Sequence, residues 1–161
     1  MAVPHEFILG EFPRKLDERY RLVVPGELLA AFPGEEPHGV LVKERPGCLS
    51  LWPLDAWQAR MQPGLDVVQA KMRAGKLEGR LAEVQLLGRL LSTRHARVQL
   101  GARGRLLVPE SFRPFLRVEP GGEVLVVGAA VCIELWHPTA WLQYLEKRVT
   151  RFGKLLEKLS Q

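Results

Sequence analysis

The chain contains no asparagine among its 161 residues. One of the two side-chain amides that bond adenine bidentately is therefore missing. Cysteine is limited to Cys48 and Cys132. No apolar run approaches the length of about 18 residues that a membrane-spanning helix needs, so no membrane partner is expected. Residues 1–10 lack a positively charged start followed by a long apolar stretch, and no export signal is expected from them. There is no Gly-rich phosphate loop ending in Lys-Ser or Lys-Thr and no Gly-x-Ser-x-Gly elbow. His5, His38, His95 and His137 are far apart and outside metal-ligand spacing. These absences argue against an enzyme, a metal site, a cofactor or a small-molecule substrate, and they predict a cytoplasmic protein.

What is present is a repeat. Leu16-Asp17-Glu18-Arg19-Tyr20-Arg21-Leu22-Val23-Val24-Pro25 returns 84 positions later as Leu100-Gly101-Ala102-Arg103-Gly104-Arg105-Leu106-Leu107-Val108-Pro109. The same offset, without a gap, lays Val40, Leu41 and Val42 on Val124, Leu125 and Val126. It also lays Cys48, Trp52, Ala56 and Trp57 on Cys132, Trp136, Ala140 and Trp141. Two matched Trp pairs and a matched Cys pair at one offset identify a duplicated module. The matched cysteines sit in apolar strand-like runs and read as small buried hydrophobes of a reducing compartment rather than a disulfide.

Taken in order, Glu6–Leu9 and Glu11–Leu16 predict short strands broken at Gly10, Asp17–Tyr20 a turn, and Arg21–Val24 a second strand. Pro25 suits the first turn of a helix continuing to Phe32, which Pro33-Gly34 ends. Gly39–Glu44 and Cys48–Trp52 flank Arg45-Pro46-Gly47, a hairpin signal. A helix opening near Asp55 carries Trp57 and Met61. Leu65, Val68 and Met72, then Leu77, Leu81, Val84, Leu87 and Leu91, predict two helices broken near Gly75. Their other faces hold Lys71, Arg73, Lys76, Arg80 and Arg89, the pattern of a solvated surface. After the second module, Thr139 is a candidate N-cap, and Leu142, Leu145, Val149, Phe152, Leu156 and Leu159 form a heptad seam able to pack on its own module or on a neighbouring subunit.

The predicted domains are residues 1–60 and 94–144 as the two modules, 61–93 as a helical linker and 145–161 as a C-terminal helical extension. Net charge is +5. Residues 1–60 hold 7 basic and 9 acidic side chains, 61–110 hold 9 and 4, and 111–161 hold 7 and 5. So mild a bias does not by itself indicate nucleic acid, and local placement must carry that claim. Arg14, Lys15, Arg19 and Arg21 crowd one turn with Asp17 and Glu18 as the only offset. On a hairpin tip they form a positive finger suited to the major groove, where Arg bonds guanine O6 and N7 and Lys holds phosphate. The alternative is a solvated turn in which Arg21 pairs with Asp17 for structure.

The residues Phe7-x-x-Gly10-Glu11, Asp17-x-x-x-Arg21-Leu22-x-x-Pro25 and Cys48-Leu49-x-Leu51-Trp52-Pro53-x-x-x-Trp57 resemble the MraZ family, regulators of the bacterial division and cell-wall gene cluster. Gly104-Arg105-Leu106-Leu107-Val108-Pro109 and Ile133-Glu134-Leu135-Trp136 resemble it too. The resemblance implies an α+β fold of two tandem AbrB-like, swapped-hairpin, β-barrel-type modules with flanking helices. It implies a nucleoid-associated transcriptional regulator that binds double-stranded promoter DNA as a ring-shaped homo-oligomer. Carried over residue by residue, the DNA contacts are Arg19 and Arg21 with Arg103 and Arg105. Arg14, Lys15 and Tyr20 beside the first pair are expected to bind DNA as well, Tyr20 by stacking or by bonding phosphate unless it only sets a different turn geometry, and Asp17 shapes the loop. Tyr20 stands where the family usually has Gly, and Gly101 where it usually has Asp. An oligomeric protein-binding scaffold without a specific DNA site is the alternative, and an antitoxin-like AbrB module would share the DNA chemistry.

Overall fold

The computed structural model of the chain describes residues 7–161. His5 and Glu6, named above, lie outside the described residues. Eight strands and five α-helices follow one another in mixed order: β1 Glu11–Lys15, β2 Arg21–Val23, β3 His38–Arg45, β4 Cys48–Pro53, α1 Leu54–Arg73, α2 Leu81–Thr93, β5 His95–Gln99, β6 Arg105–Leu107, α3 Arg113–Leu116, β7 Glu123–Gly128, β8 Ile133–Trp136, α4 Pro138–Arg148 and α5 Phe152–Leu159. Among the described residues no helix is long and apolar enough to cross a membrane.

Six strands form one antiparallel sheet in the order β1-β7-β8-β4-β3-β5, and β2 pairs with β6 in a separate two-stranded ribbon. Each copy of the repeat gives its first strand to the other: β1 pairs with β7, and β5 with β3. The ribbon places Leu22 opposite Leu106, and the centre of the sheet places Ser50 opposite Glu134. Both pairs are 84 apart, so a local twofold axis runs through the middle of the ribbon and the middle of the sheet.

The gapless offset fails in one element. Trp52 pairs with Val40, whereas Trp136 pairs with Leu125, and Arg97 meets Val40 where Pro13 meets Leu125. The partner of Val40 in the duplication is thus Leu125, not Val124. A bulge between Lys43 and Arg45 shifts β3 by one residue, and the connection before β7 is correspondingly longer: Leu41 comes nine positions after Phe32, Val126 ten after Leu116. Two compensating one-residue changes cancel in an ungapped comparison, yet a slip of one residue turns every side chain of a strand to the opposite face. Burial follows the corrected pairing. Leu41 and Val126 enter the main core, while Val40 and Val127 turn to the other face.

That main core lies between the sheet and the ribbon and draws on both copies, with Leu22, Leu28, Leu49 and Leu51 from the first and Leu106, Phe112, Ile133 and Leu135 from the second. On the opposite face α1 packs Trp57 against Val40, Val42 and Trp52. There α4 packs Trp141 and Tyr144 against Trp136, Val127 and Cys48. The matched tryptophans do the same local work: Trp52 Nε1 donates to Ser50 Oγ at 2.9 Å and Trp136 Nε1 donates to Glu134 Oε1 at 3.0 Å. Each bond satisfies an indole N–H that burial would otherwise leave unpaired.

Several local expectations change in the folded chain. The segment after Pro25 is a 3₁₀ helix over Gly26–Ala31 rather than an α-helix. Helix α1 runs unbroken through Pro63 to Arg73 and so spans residues on both sides of the 60/61 boundary. The break at Gly75 is present, at φ +74°. His137, not Thr139, caps α4: its Nδ1 accepts the Thr139 N–H at 3.1 Å, and Pro138 takes the first helical position. The predicted heptad seam is interrupted by a 3₁₀ turn at Val149–Arg151, and Leu142, Val149, Phe152, Leu156 and Leu159 remain exposed instead of packing on their own module.

Candidate nucleic-acid interface

The turn at Asp17–Tyr20 is built by one carboxylate. Asp17 Oδ1 accepts the backbone N–H groups of Arg19 at 2.8 Å and Arg21 at 2.9 Å, and Oδ2 accepts Arg21 Nε at 3.1 Å. The Arg21 backbone N–H above all, helped by that of Arg19 and by the Arg21 guanidinium, holds the Asp17 carboxyl below its ordinary range. Asp17 N–H donates to the Arg21 carbonyl and Tyr20 N–H to the Asp17 carbonyl, closing the loop. Such bonding is the reason Asp favours the first position of a turn.

The second loop keeps the backbone frame without the carboxylate. Gly101 N–H donates to the Arg105 carbonyl at 2.8 Å, and Gly104 N–H to the Gly101 carbonyl at 3.2 Å. The second loop thus retains both backbone bonds and lacks only the side-chain staple. Arg103 and Gly104 are both left-handed, at φ +63° and +79°, where the first loop has Tyr20 at +60°.

Neither loop is a hairpin tip. The strands flanking Asp17–Tyr20 do not pair with each other: β1 joins the six-stranded sheet, and β2 joins β6. The ribbon is instead made from both copies, and the loops are fastened across it. Val108 N–H donates to the Tyr20 carbonyl at 2.9 Å and Val24 N–H to the Gly104 carbonyl at 2.8 Å. Leu22 and Leu106 point into the core, so by the period of two Arg21, Val23, Arg105 and Leu107 form the outward face. Arg21 lies opposite Leu107 and Val23 opposite Arg105. The two arginines occupy one diagonal, about 7–8 Å apart at Cα by ordinary sheet geometry.

The structure thus brings Arg21 and Arg105 onto one surface, with Arg19 and Arg103 exposed on the loops at its two ends. Arg14 and Lys15 belong instead to edge strand β1. The Arg14 guanidinium lies 5.7 Å from the Phe12 ring centre and donates to the Pro13 carbonyl, while Lys15 stands opposite Glu123. Tyr20 is half-buried, packed on the core and covered by the Arg113 guanidinium at 4.2 Å from its ring centre. Arg113 also donates from Nε to the Val108 carbonyl at 2.9 Å. No sequence signal links Arg113 to Tyr20, because only the pairing of the two copies puts them together.

Two substitutions test this frame. Tyr20→Gly relieves a left-handed conformation costing about 1 kcal/mol, but it removes about 1–1.5 kcal/mol of partial ring burial and about 0.5–1 kcal/mol of cation–π contact. Glycine's added chain entropy costs roughly 0.5–1 kcal/mol more. The expected outcome is a net loss of about 1–2.5 kcal/mol in urea unfolding. Gly104→Ala is expected to cost about 2–3 kcal/mol, since a Cβ there meets the Val24 carbonyl oxygen at 2.7 Å in a backbone region that disfavours side chains. A lower denaturation midpoint at unchanged slope checks it.

Among the described residues no group of three or more His, Cys, Asp or Glu is arranged to hold a metal ion. Cys48 and Cys132 are free and buried, and burial raises both thiols, Cys132 to about 12. Neither has the thiolate character of a reactive cysteine.

Comparison with known proteins bears on the whole chain. The family described as "MraZ protein, putative antitoxin-like" matches residues 93–157. A protein of Thermomicrobium roseum named "Transcriptional regulator MraZ" is 27% identical over 154 residues, 94% of this chain and 96% of its own length. Proteins of the same name from Moorella thermoacetica, 26% identical with 94% and 95% covered, and from Thermus thermophilus, 27% with 86% and 87%, match as well. The chain is similar to the MraZ family. Within the matched span of the family lie the second loop, the whole of β6, helices α3 and α4 and most of α5, so the copy with Gly101 in place of Asp falls inside it.

Proposed function

We propose that this chain is a DNA-binding transcriptional regulator of the MraZ type and not an enzyme, reading promoter DNA with Arg21 and Arg105 on the ribbon and Arg19 and Arg103 on its flanking loops. One observation carries the reading: two arginines from the two copies share one outward face of a two-stranded ribbon, an element whose width suits the major groove. Charge supports it. Residues 14–25 hold four basic and two acidic side chains and 98–109 hold two basic and none acidic, so these stretches account for +4 of the net +5. Relatives named transcriptional regulators point the same way. On this reading the protein works in the cytoplasm, at the nucleoid. Arg14 and Lys15 are assigned phosphate contacts beside the first loop, and Tyr20 a role in shaping it.

Because each copy completes the other's sheet, we read residues 1–60 and 94–144 as a tandem AbrB-type swapped-hairpin pair closed within one chain. We further read the chain as self-assembling. Phe152, Leu155, Leu156 and Leu159 on α5 are exposed, as are Leu81, Leu86 and Leu90 on α2. Helix α2 leads into edge strand β5, whereas α4 packs on β7 and its Trp141 bonds Glu11 on the opposite edge strand β1. Two unlike apolar faces at opposite ends of one molecule suit head-to-tail contact, which closes into a ring when the rotation permits.

The test is equilibrium binding of the full chain to promoter DNA from upstream of its own gene, with scrambled DNA of equal length, at two salt concentrations. The proposal expects preference for the promoter and a steep loss of affinity with salt, because phosphate contacts release counterions. A chain that does not distinguish the two DNAs would leave its exposed apolar helices to a protein-binding scaffold.

A further inference from the structure

We infer that Val23 and Leu107 are base-reading residues, whose apolar side chains pack on thymine 5-methyl groups between the contacts made by Arg21 and Arg105. This deepens the DNA-binding reading above and rests on it.

The ribbon's outward face is a square of four side chains in which the arginines take one diagonal and the apolar residues the other. Val23 is 44% exposed and Leu107 51%, while their neighbours Leu22 and Leu106 are 2% and 0% exposed. Neither exposed side chain joins any of the three packed clusters. A single exposed aliphatic residue requires no explanation. Here, however, the same position is apolar and exposed in both copies, at the centre of the surface that carries the excess positive charge.

The occupant that matches both features is double-stranded DNA. Its phosphates complement the arginines, and the thymine methyl is the apolar group that base pairs present in the major groove. The two strands of a ribbon lie about 4.8 Å apart, well within a groove about 12 Å wide. The diagonal of about 7–8 Å corresponds to roughly two base steps of 3.4 Å. The chain's missing residue type narrows the choice further. Residues 16–25 and 100–109 contain neither Asn nor Gln, so no side-chain amide on this face can bond adenine bidentately. Methyl contact is the means left to Val23 and Leu107 for telling an A·T pair from a G·C pair.

The experiment uses the full chain and a duplex that it selects from a randomised pool, compared with the same duplex in which every thymine is replaced by deoxyuridine. That exchange removes only the methyl groups. Wild type is expected to bind the uracil duplex about fourfold more weakly per contacted methyl, the value of one buried carbon. Val23→Ser and Leu107→Ser should each bind the thymine duplex more weakly by a similar factor and lose part of the thymine preference, and the double variant should lose it all. Val23→Thr, which keeps one methyl and the strand-favouring branch, should retain most of it. Equal binding of both duplexes by wild type overturns the inference, as does a double variant that still prefers thymine. If Arg21→Ala abolishes selective binding in that case, the DNA-binding reading stands without the methyl contacts. If Arg21→Ala changes nothing, both readings fall.

Discussion

Arg21→Ala is expected to weaken promoter binding about 5- to 150-fold, the equivalent of roughly 1–3 kcal/mol for one lost base or phosphate contact. The same change should move folding stability by less than about 1 kcal/mol. The two numbers separate reading from scaffolding at one residue. Arg21 Nε is held by Asp17 Oδ2 at 3.1 Å, but the pair is part-exposed, with side-chain exposures of 33% and 46%. Ion pairs so placed contribute little to stability. The loop itself survives the substitution, because the bonds that shape it run from the backbone N–H groups of residues 19 and 21 to Asp17 Oδ1. Paired measurements of promoter binding and urea unfolding decide the matter. A purely structural Arg21 would lower binding only as far as it lowers stability. Arg105→Ala extends the test to the second copy, whose arginine has no carboxylate partner among the described residues. A comparable loss there means that both halves of the ribbon engage DNA at once.

The largest effect on folding is expected from Trp136→Ala, about 3–5 kcal/mol. Against a total of roughly 5–15 kcal/mol for a protein this size, that is a substantial share. Trp136 is 2% exposed and sits between Trp141 and Tyr144, with ring centres 5.2 Å and 5.0 Å away. Its loss opens a cavity under α4 and removes the indole donor from Glu134, whose carboxyl burial already holds above its ordinary range. Its duplicate Trp52 is only half-buried, touches one tryptophan at 6.0 Å and is covered by Arg60 at 5.2 Å. Trp52→Ala should therefore cost about half as much. Thermal unfolding reads the difference, at about 2–4 °C per kcal/mol for a chain of this length. Equal shifts would mean that the two halves bury their tryptophans equally in solution.

These two expectations draw on different kinds of information. The recurrence of Arg21 as Arg105 is legible in the sequence, because a repeat exposes positions that recur and a turn of Asp-x-x-x-Arg has a physical reason to form. The strands beginning near Glu11, Arg21, Gly39 and Cys48, the Pro-Gly hairpin and the break at Gly75 are equally legible, since turn residues and apolar periods act over a few neighbours, whereas the strand expected to end at Leu9 is only an isolated bridge at Ile8. The placement of β3 is not. An ungapped comparison hides two one-residue changes that cancel, and three consecutive apolar residues at 40–42 carry no alternation to betray which face each one takes. The same masking hides Val23 and Leu107, because Leu22-Val23-Val24 and Leu106-Leu107-Val108 look uniformly apolar while the fold buries only alternate members.

By itself, the sequence determined the duplication, the turn chemistry of both loops, the scarcity of adenine-reading amides and the concentration of positive charge around residues 14–25 and 98–109. Only the tertiary structure decided which strand pairs with which. A strand's hydrogen-bonding edge is the same whatever its sequence, and its partner is chosen by which pairing buries the most apolar surface with every backbone group satisfied. Here that choice sends β1 and β5 to the opposite copies and joins β2 to β6. Two loops that are 84 residues apart thereby become the two ends of one surface, with Arg113 laid over Tyr20 and two arginines on a single diagonal.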